Sequence, residues 1–494
     1  MNVLLVSAEA DPFAKVGGLA DVVGSLPKAL RGLGIDARVF IPYYQFIDPD
    51  RFGIEPLFSF KLPRPTGTVD VHVFTAEHDG VPVYFVRGWP YFGEETSVYS
   101  TWDYDAARFI FLCQAAVAAA EELRENVGWF PDVFHVNDWH TGLIPFLIEQ
   151  KRGSDARWAS VGTMVSIHNI AYQGDGVGGW LWELGIPARE HPELVSRNLT
   201  DNMLAIAIAY SDIVTTVSPR YATEIQYPYM GYGLDGLIGT RVNDLYGILN
   251  GIDYDLWNPE TDPLIVSNFN ASNFVEKRPP NKRQLQIDSN LPVRPDVPLI
   301  GFVSRLVWQK GIDLAMPALR RLLAGYDVQF VGLGSGEPEY NEQLWRLGAD
   351  FQWKAKTIVG FNTAMAQRIY AGCDIFLMPS HYEPCGIGQM NAMRYGALPV
   401  VRETGGLADS VTNYDNGDGT VGTGFVFQWE EVNAVHNTLL WAISTYRLRQ
   451  DAWRRMQQRA MQTDFSWKRS AQEYKTLYAK AAERHGRKAS GTSS

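Results

Sequence analysis

Short runs of apolar residues alternate along the chain with longer stretches whose apolar positions recur at helical spacing. Val3 to Ser7 reads as a strand. Gly17 and Gly18 follow, and Leu19 to Leu30 then carries the periodicity of a helix. The run ARVFIP is the next strand. From Phe58 to Val86 the pattern changes to strict alternation, in VDVHVFTA and VPVYFVRG, which predicts an antiparallel excursion. FIFLCQAAVAAA, Phe109 to Ala120, is apolar all round and too short to span a bilayer, so it predicts a buried helix. DVFHVND, VGTMVSIHN, SDIVTTVS and DLYGILNG resume the strand pattern, and three of these four end in Asn, Asp, His or Ser.

The segment Pro259 to Pro298 breaks the alternation. It is rich in Pro, Asn and Lys and reads as a connection between domains, with one short helix around Asn281 to Leu285. A second series of strands and helices starts at Leu299 and runs through LIGFVSRL, VQFVGLG, KTIVGF, IFLMPS and LPVVRET. A last helix is predicted from about Trp467 to Glu483, followed by a polar tail that reads as disordered. The whole is an α/β chain of two doubly wound domains, and polar strand ends in each predict a cleft that closes over a substrate.

Composition narrows the picture. A length of 494 residues fits two large domains. The net charge of −11 argues against a broad nucleic-acid surface. Fifteen Trp, 23 Tyr and 24 Phe are many, and exposed rings of this kind stack on the apolar faces of sugars. Cys113, Cys373 and Cys385 have neither disulfide nor metal-ligand spacing, so a reducing compartment is expected. The opening MNVLLVSAEA reads as a strand rather than a basic leader. A cytoplasmic protein without a membrane segment follows, with homo-oligomerisation left open.

Five constellations carry candidate chemistry. Lys15, Gly17 and Gly18 stand between the first strand and its helix, where backbone N–H groups and a cation favour an anion. Neither a dinucleotide fingerprint nor a P-loop is present there. Asp138-Trp139-His140 and His168-Asn169 each follow a strand, as a site for sugar hydroxyls would require. Arg305 ends one strand and Lys310 begins the next helix, two fixed cations suited to a diphosphate. Glu383, Cys385 and Gly386 lie in a turn after a strand, and Thr404, Gly405 and Gly406 open a helix as a second N–H nest. No metal cluster is found, so the basic residues are expected to neutralise a diphosphate without a metal and without a cofactor.

These motifs, in this order, resemble the bacterial glycogen synthase and plant starch synthase family. The likeness runs from SAEADPFAKVGGLADVVGSLPKAL through NDWHTGL, SIHNIAYQG, YGLDGLI, LNGIDYDLWNPETD, VSRLVWQKG and HYEPCGIGQMNAMRYGALPVVRETGGLADSV to DFSWKRSAQEY. It implies the GT-B fold, two Rossmann-like domains across a deep cleft. Residues 1–258 would form the acceptor-side domain of starch synthase catalytic type. Residues 259–494 would form the nucleotide-sugar domain of glycosyltransferase group 1 type, its final helix crossing back to the first.

The implied activity is transfer of glucose from ADP-glucose to the non-reducing end of an α-1,4-glucan with retention. Glycogen or starch would be the partner, with neither nucleic acid nor membrane. By the same resemblance, Lys15, Gly17 and Gly18 touch the donor, and Asp138, His168 and Asn169 lie on the acceptor side. Arg305 and Lys310 bind the diphosphate. Glu383, Cys385 and Gly386 hold the donor glucose, and Thr404, Gly405 and Gly406 its phosphate. Phe361 lies near the adenine. His168, Glu383, Arg305 and Lys310 are the expected catalytic set. UDP-glucose as donor, a small-molecule acceptor, and a catalytically silent glucan binder are the competing readings.

Overall fold

A computed structural model of the chain describes residues 1–490, with side chains described as far as His485. The chain forms two compact units. One comprises Met1–Gly251 and the carboxyl-terminal segment from Trp467, the other Ile252–Ser466.

The first unit is built on a nine-stranded sheet. Its strands are β1 (Asn2–Val6), β2 (Asp36–Pro42), β3 (Glu55–Arg64), β4 (Gly67–His78), β5 (Val81–Arg87), β6 (Val133–Asn137), β7 (Gly162–Ile167), β8 (Ile213–Thr216) and β9 (Leu245–Gly247). They lie in the order β3-β4-β5-β2-β1-β6-β7-β8-β9. β4 pairs antiparallel with β3 and β5, the excursion that the alternating runs predict, and every other pairing is parallel. The parallel strands β1, β6, β7 and β8 are buried along nearly their whole length, as strands covered on both faces must be. FIFLCQAAVAAA lies within the helix Trp102–Val127 and is almost wholly buried.

The carboxyl-terminal helix, Trp467–Ser490, belongs to this first unit. Trp467, Ala471, Tyr474, Tyr478 and Ala481 form one stripe at alternating four- and three-residue spacing and enter the core with Val3, Leu5, Leu26 and Met164. Tyr478 meets Nδ1 of the buried His135 at 2.8 Å. The polar sequence after Glu483 continues the helix rather than forming a loose tail. Arg484 donates to the carbonyl of Asp212, and His485 Nε2 lies 2.6 Å from that residue's carboxylate. The expectation of disorder for the last four residues lies outside the described residues.

The second unit holds β10 (Leu299–Leu306), β11 (Gln329–Gly336), β12 (Ala355–Val359), β13 (Ile375–Met378), β14 (Leu398–Arg402) and β15 (Phe425–Phe427). All are parallel, in the order β12-β11-β10-β13-β14-β15. That is the dinucleotide-fold order in which the connections reverse direction beside the first strand.

The segment Pro259 to Pro298 is not a simple connection. Phe269, Phe274, Leu285 and Leu291 are core residues of the second unit. Arg278 and Lys282 are buried, and Lys282 Nζ lies 2.7 Å from Asp374 at the start of β13. The units part at Gly251/Ile252 and Ser466/Trp467 rather than at 258/259, because Trp257 already packs on Tyr370 and Tyr395 of the second unit's core and Ile252 pairs with Ser466.

All three cysteines are buried, and none of them is in a disulfide. Among the described residues no helix is long and apolar enough to cross a membrane.

Candidate active site

In open α/β sheets a ligand sits beyond the carboxyl ends of the strands where the winding reverses. In the first unit that point lies at β1 and β6, and in the second at β10 and β13. The sequence places Glu9 to Lys15 after β1 and Asp138 after β6. It places Arg305 to Lys310 at the end of β10 and Ser380 to Glu383 after β13.

The glycine loop after β1 is already wrapped round a carboxyl group of the protein itself. Glu9, buried at the end of this turn, accepts hydrogen bonds from the N–H groups of Val16 and Gly17 at 2.7 and 2.9 Å. Tyr99 donates its hydroxyl to the other oxygen of Glu9 at 2.5 Å. Lys15 is held by Asp11 and Asp21, at 3.3 and 2.5 Å. The N–H of Gly17 and the ammonium of Lys15 therefore stabilise the loop in this structure, which revises their reading as an open anion cradle. Gly18 opens the helix Gly18–Arg31. Glu9 is the residue that sequence reasoning missed. Its only signal was an acid three residues beyond the first strand.

Asp138 has φ 55° and ψ −171°, a backbone region that side-chain-bearing residues avoid at a cost of roughly 1–3 kcal/mol. The strain aims its carboxylate at the turn after β7. One oxygen accepts from His168 N–H at 2.7 Å and from Asn169 N–H at 3.4 Å. Burial nevertheless wins over these hydrogen bonds and raises the Asp138 carboxyl from 3.8 to about 7.

His168 Nε2 lies 2.9 Å from Asn137 Oδ1, and the Asn137 amide nitrogen donates to Val6 O. Burial lowers the imidazole to about 3, so it is neutral at physiological pH. With Asn137 presenting its oxygen, the proton is on Nε2 and Nδ1 is left as an acceptor. Asn169 Oδ1 accepts from Ala171 N–H at 3.1 Å and shapes the turn. His140 is buried, with its ring packed against Phe109 and Tyr99.

In the second unit Arg305 is exposed at the end of β10 and enters no ion pair among the described residues. Lys310 closes the turn Trp308–Lys310 rather than opening a helix, and its ammonium is bound to both oxygens of Glu383 at 2.8 and 2.6 Å. Ser380 adds a hydroxyl at 3.0 Å. Glu383 is thus buried and satisfied, and Lys310 gives two of its three N–H bonds to it. Removing either partner would leave a buried charge unpaired, a loss of about 3–5 kcal/mol.

The nest expected at Thr404, Gly405 and Gly406 is a packing joint. Thr404 N–H bonds Arg402 O, and Gly406 N–H bonds the carbonyls of Glu383 and Pro384 at 3.0 and 3.2 Å. A Cβ on Gly405 would stand 2.0 Å from Glu383 O, and one on Gly406 2.0 Å from Cys385 O. These glycines let the helix Gly405–Ser410 lie directly on the backbone that carries Glu383 and Cys385. Gly386, at φ 75°, ends that turn, and Gln389 ties it down by donating to Cys385 O and Gly386 O.

A second network holds the same turn from outside. His381 lies 2.9 Å from Asp313 and 3.3 Å from Glu430, and Trp308 stacks on its ring at 4.3 Å. Phe361, just after β12, is 94% exposed, a free ring face. Among the described residues no group of three His, Cys, Asp or Glu side chains is placed to hold a metal ion.

Two Rossmann-like units, one with a cation pair at its switch point and the other with a neutral histidine and a buried carboxyl, define a glycosyltransferase of the GT-B fold. Residues 2–240 match the starch synthase catalytic domain and residues 284–459 match glycosyl transferases group 1. The chain is 40% identical to a glycogen synthase of Desulforudis audaxviator, over 98% of this chain and 97% of that one. It is 42% identical to glycogen synthase 1 of Geobacter sulfurreducens, over 97% and 96%. Its structure superposes on the catalytic domain of starch synthase IV from Arabidopsis thaliana, bound to ADP and acarbose, with a TM-score of 0.86 and 32% identity, over 97% of this chain and 99% of that one. The chain belongs to the glycogen and starch synthase family and has the function of that family.

Proposed function

We propose that this glycosyltransferase takes glucose from ADP-glucose and adds it to the non-reducing 4-hydroxyl of an α-1,4-glucan, with retention of configuration. The observation that carries this reading is the end-to-end likeness to a starch synthase catalytic domain described with ADP and acarbose, a nucleotide and a glucan mimic. The exposed Arg305 and the switch point of the second unit support diphosphate binding there. Lys310 retains one N–H bond beyond those given to Glu383, enough to join Arg305 on a leaving diphosphate. Phe361 offers the free ring on which a base can stack.

On this reading the bond from C1 of glucose to the diphosphate breaks first, its charge taken up by Arg305 and Lys310. The acceptor oxygen then bonds C1 from the same face and passes its proton to a diphosphate oxygen. ADP and a glucan one residue longer are the products. His168, neutral with Nδ1 as acceptor, takes a hydrogen bond from a glucose hydroxyl.

The test is transfer of labelled glucose onto glycogen, with ADP-glucose and UDP-glucose in parallel, each with and without EDTA. Incorporation from ADP-glucose that survives EDTA is the expected result. Preference for UDP-glucose would overturn the donor, and loss of transfer with EDTA would overturn the metal-free neutralisation of the diphosphate.

A further inference from the structure

The aromatic excess of the sequence is not used up by the residues described so far. In Tyr227-Pro228-Tyr229-Met230-Gly231-Tyr232 of the first unit, Met230 and Gly231 are buried and pin a short helical turn, Pro228–Gly231. The tyrosines face outward: Tyr227 is 52%, Tyr229 67% and Tyr232 45% exposed. The rings of Tyr227 and Tyr229 lie 6.0 Å apart at 26°, two nearly parallel faces open to solvent. Gln173 donates to Tyr232 O at 2.9 Å and to Ile170 O at 3.2 Å, which ties the turn to the loop after β7. That loop carries Tyr172, 58% exposed, whose N–H bonds Asn169 O at 3.2 Å. The turn with its three exposed tyrosines is thus tied by Gln173 to the loop that follows His168 and carries Tyr172.

Exposed aromatic rings grouped in this way often mark a binding surface. From Ile225 to Leu234 the chain has no basic residue and Asp235 lies against Gly231, so the turn offers no cation to a nucleic acid or an acidic peptide and suits a neutral partner. A tyrosine offers an apolar face with a hydroxyl at its edge. A pyranose has the matching form, an apolar face rimmed by hydroxyls, and an α-1,4-glucan repeats it residue after residue.

We infer that Tyr227 and Tyr229 form a stacking platform that holds an α-1,4-glucan at a segment remote from the end receiving glucose. The inference rests on the reading that glucan is the acceptor. Its function is to keep a long polymer on the enzyme between transfers, which a short oligosaccharide cannot exploit.

The experiment compares the full chain with Tyr227→Ala, Tyr229→Ala, the double variant and Tyr229→Trp. KM is measured for glycogen and for maltotriose, and migration is measured in native gels with and without amylopectin. The double variant is expected to raise the KM for glycogen about tenfold, leave maltotriose kinetics unchanged and lose retardation by amylopectin. Tyr229→Trp is expected to keep both properties. Unchanged retardation and unchanged glycogen KM in the double variant would overturn the platform. An equal rise in KM for maltotriose would also overturn it, by placing the tyrosines at the transfer site. If the unaltered protein transfers glucose from neither donor, yet is retarded by amylopectin through these tyrosines, the platform stands and the donor reading falls.

Discussion

At Asp138 two forces compete over one proton. Its hydrogen bonds from His168 and Asn169 favour the charged carboxylate, while burial favours the neutral acid and wins, so the group titrates at about 7 instead of 3.8. Between those values the folded protein keeps a proton that the unfolded chain has lost. The contribution to stability is fully present below about pH 4 and is lost as the pH rises through about 7. Asp138→Asn has no such titration. The melting temperature of the wild type is therefore expected to fall relative to the variant between about pH 4 and about pH 7, and a constant difference across that range would refute the shift. The sequence marked Asp138 by its place after a strand. The burial that sets its charge, and the His168 and Asn169 N–H groups that oppose it, exist only once residues about thirty positions apart in the chain are brought together.

The elements next to the reactive residues depend on how closely backbones approach. Gly406 and Gly17 look alike in the sequence, each one of a Gly-Gly pair at the start of a helix, but they meet different surroundings. A Cβ on Gly406 would collide with Cys385 O at 2.0 Å, whereas one on Gly17 meets nothing within 4 Å. Gly406→Ala must therefore displace the turn that carries Glu383. A destabilisation of about 1–3 kcal/mol together with a more than tenfold loss of kcat is expected. Gly17→Ala should leave stability within about 0.5 kcal/mol of wild type, because its φ of −143° suits alanine. Denaturant unfolding alongside transfer kinetics checks both. If Gly17→Ala loses activity without losing stability, a ligand must approach that backbone closely.

At the scale of the whole molecule, the carboxyl-terminal helix is the part whose removal is most informative. Six of its side chains, Trp467, Ala471, Tyr474, Leu477, Tyr478 and Ala481, are core residues of the first unit. At roughly 1.5–3 kcal/mol for each large side chain, their loss is comparable to the 5–15 kcal/mol that holds a typical domain folded. A chain ending at Ser466 is expected to have a protease-sensitive first unit, while residues 252–466 resist digestion. Equal resistance of both units would show that the helix is dispensable. What the sequence determined by itself was the local grammar: strand runs, the antiparallel excursion, the buried alanine-rich helix and the polar residues at strand ends. Each follows from side-chain periodicity, which needs no knowledge of distant partners. The motif likeness fixed the family in the same way, because it too is linear. The tertiary structure alone decided that Glu9 fills the glycine loop, that Lys310 is spent largely on Glu383, and that the proline-rich segment is core rather than connection. Those outcomes turn on which charges and faces meet across many residues of chain, and burial and ion pairing are fixed only when the fold brings them together.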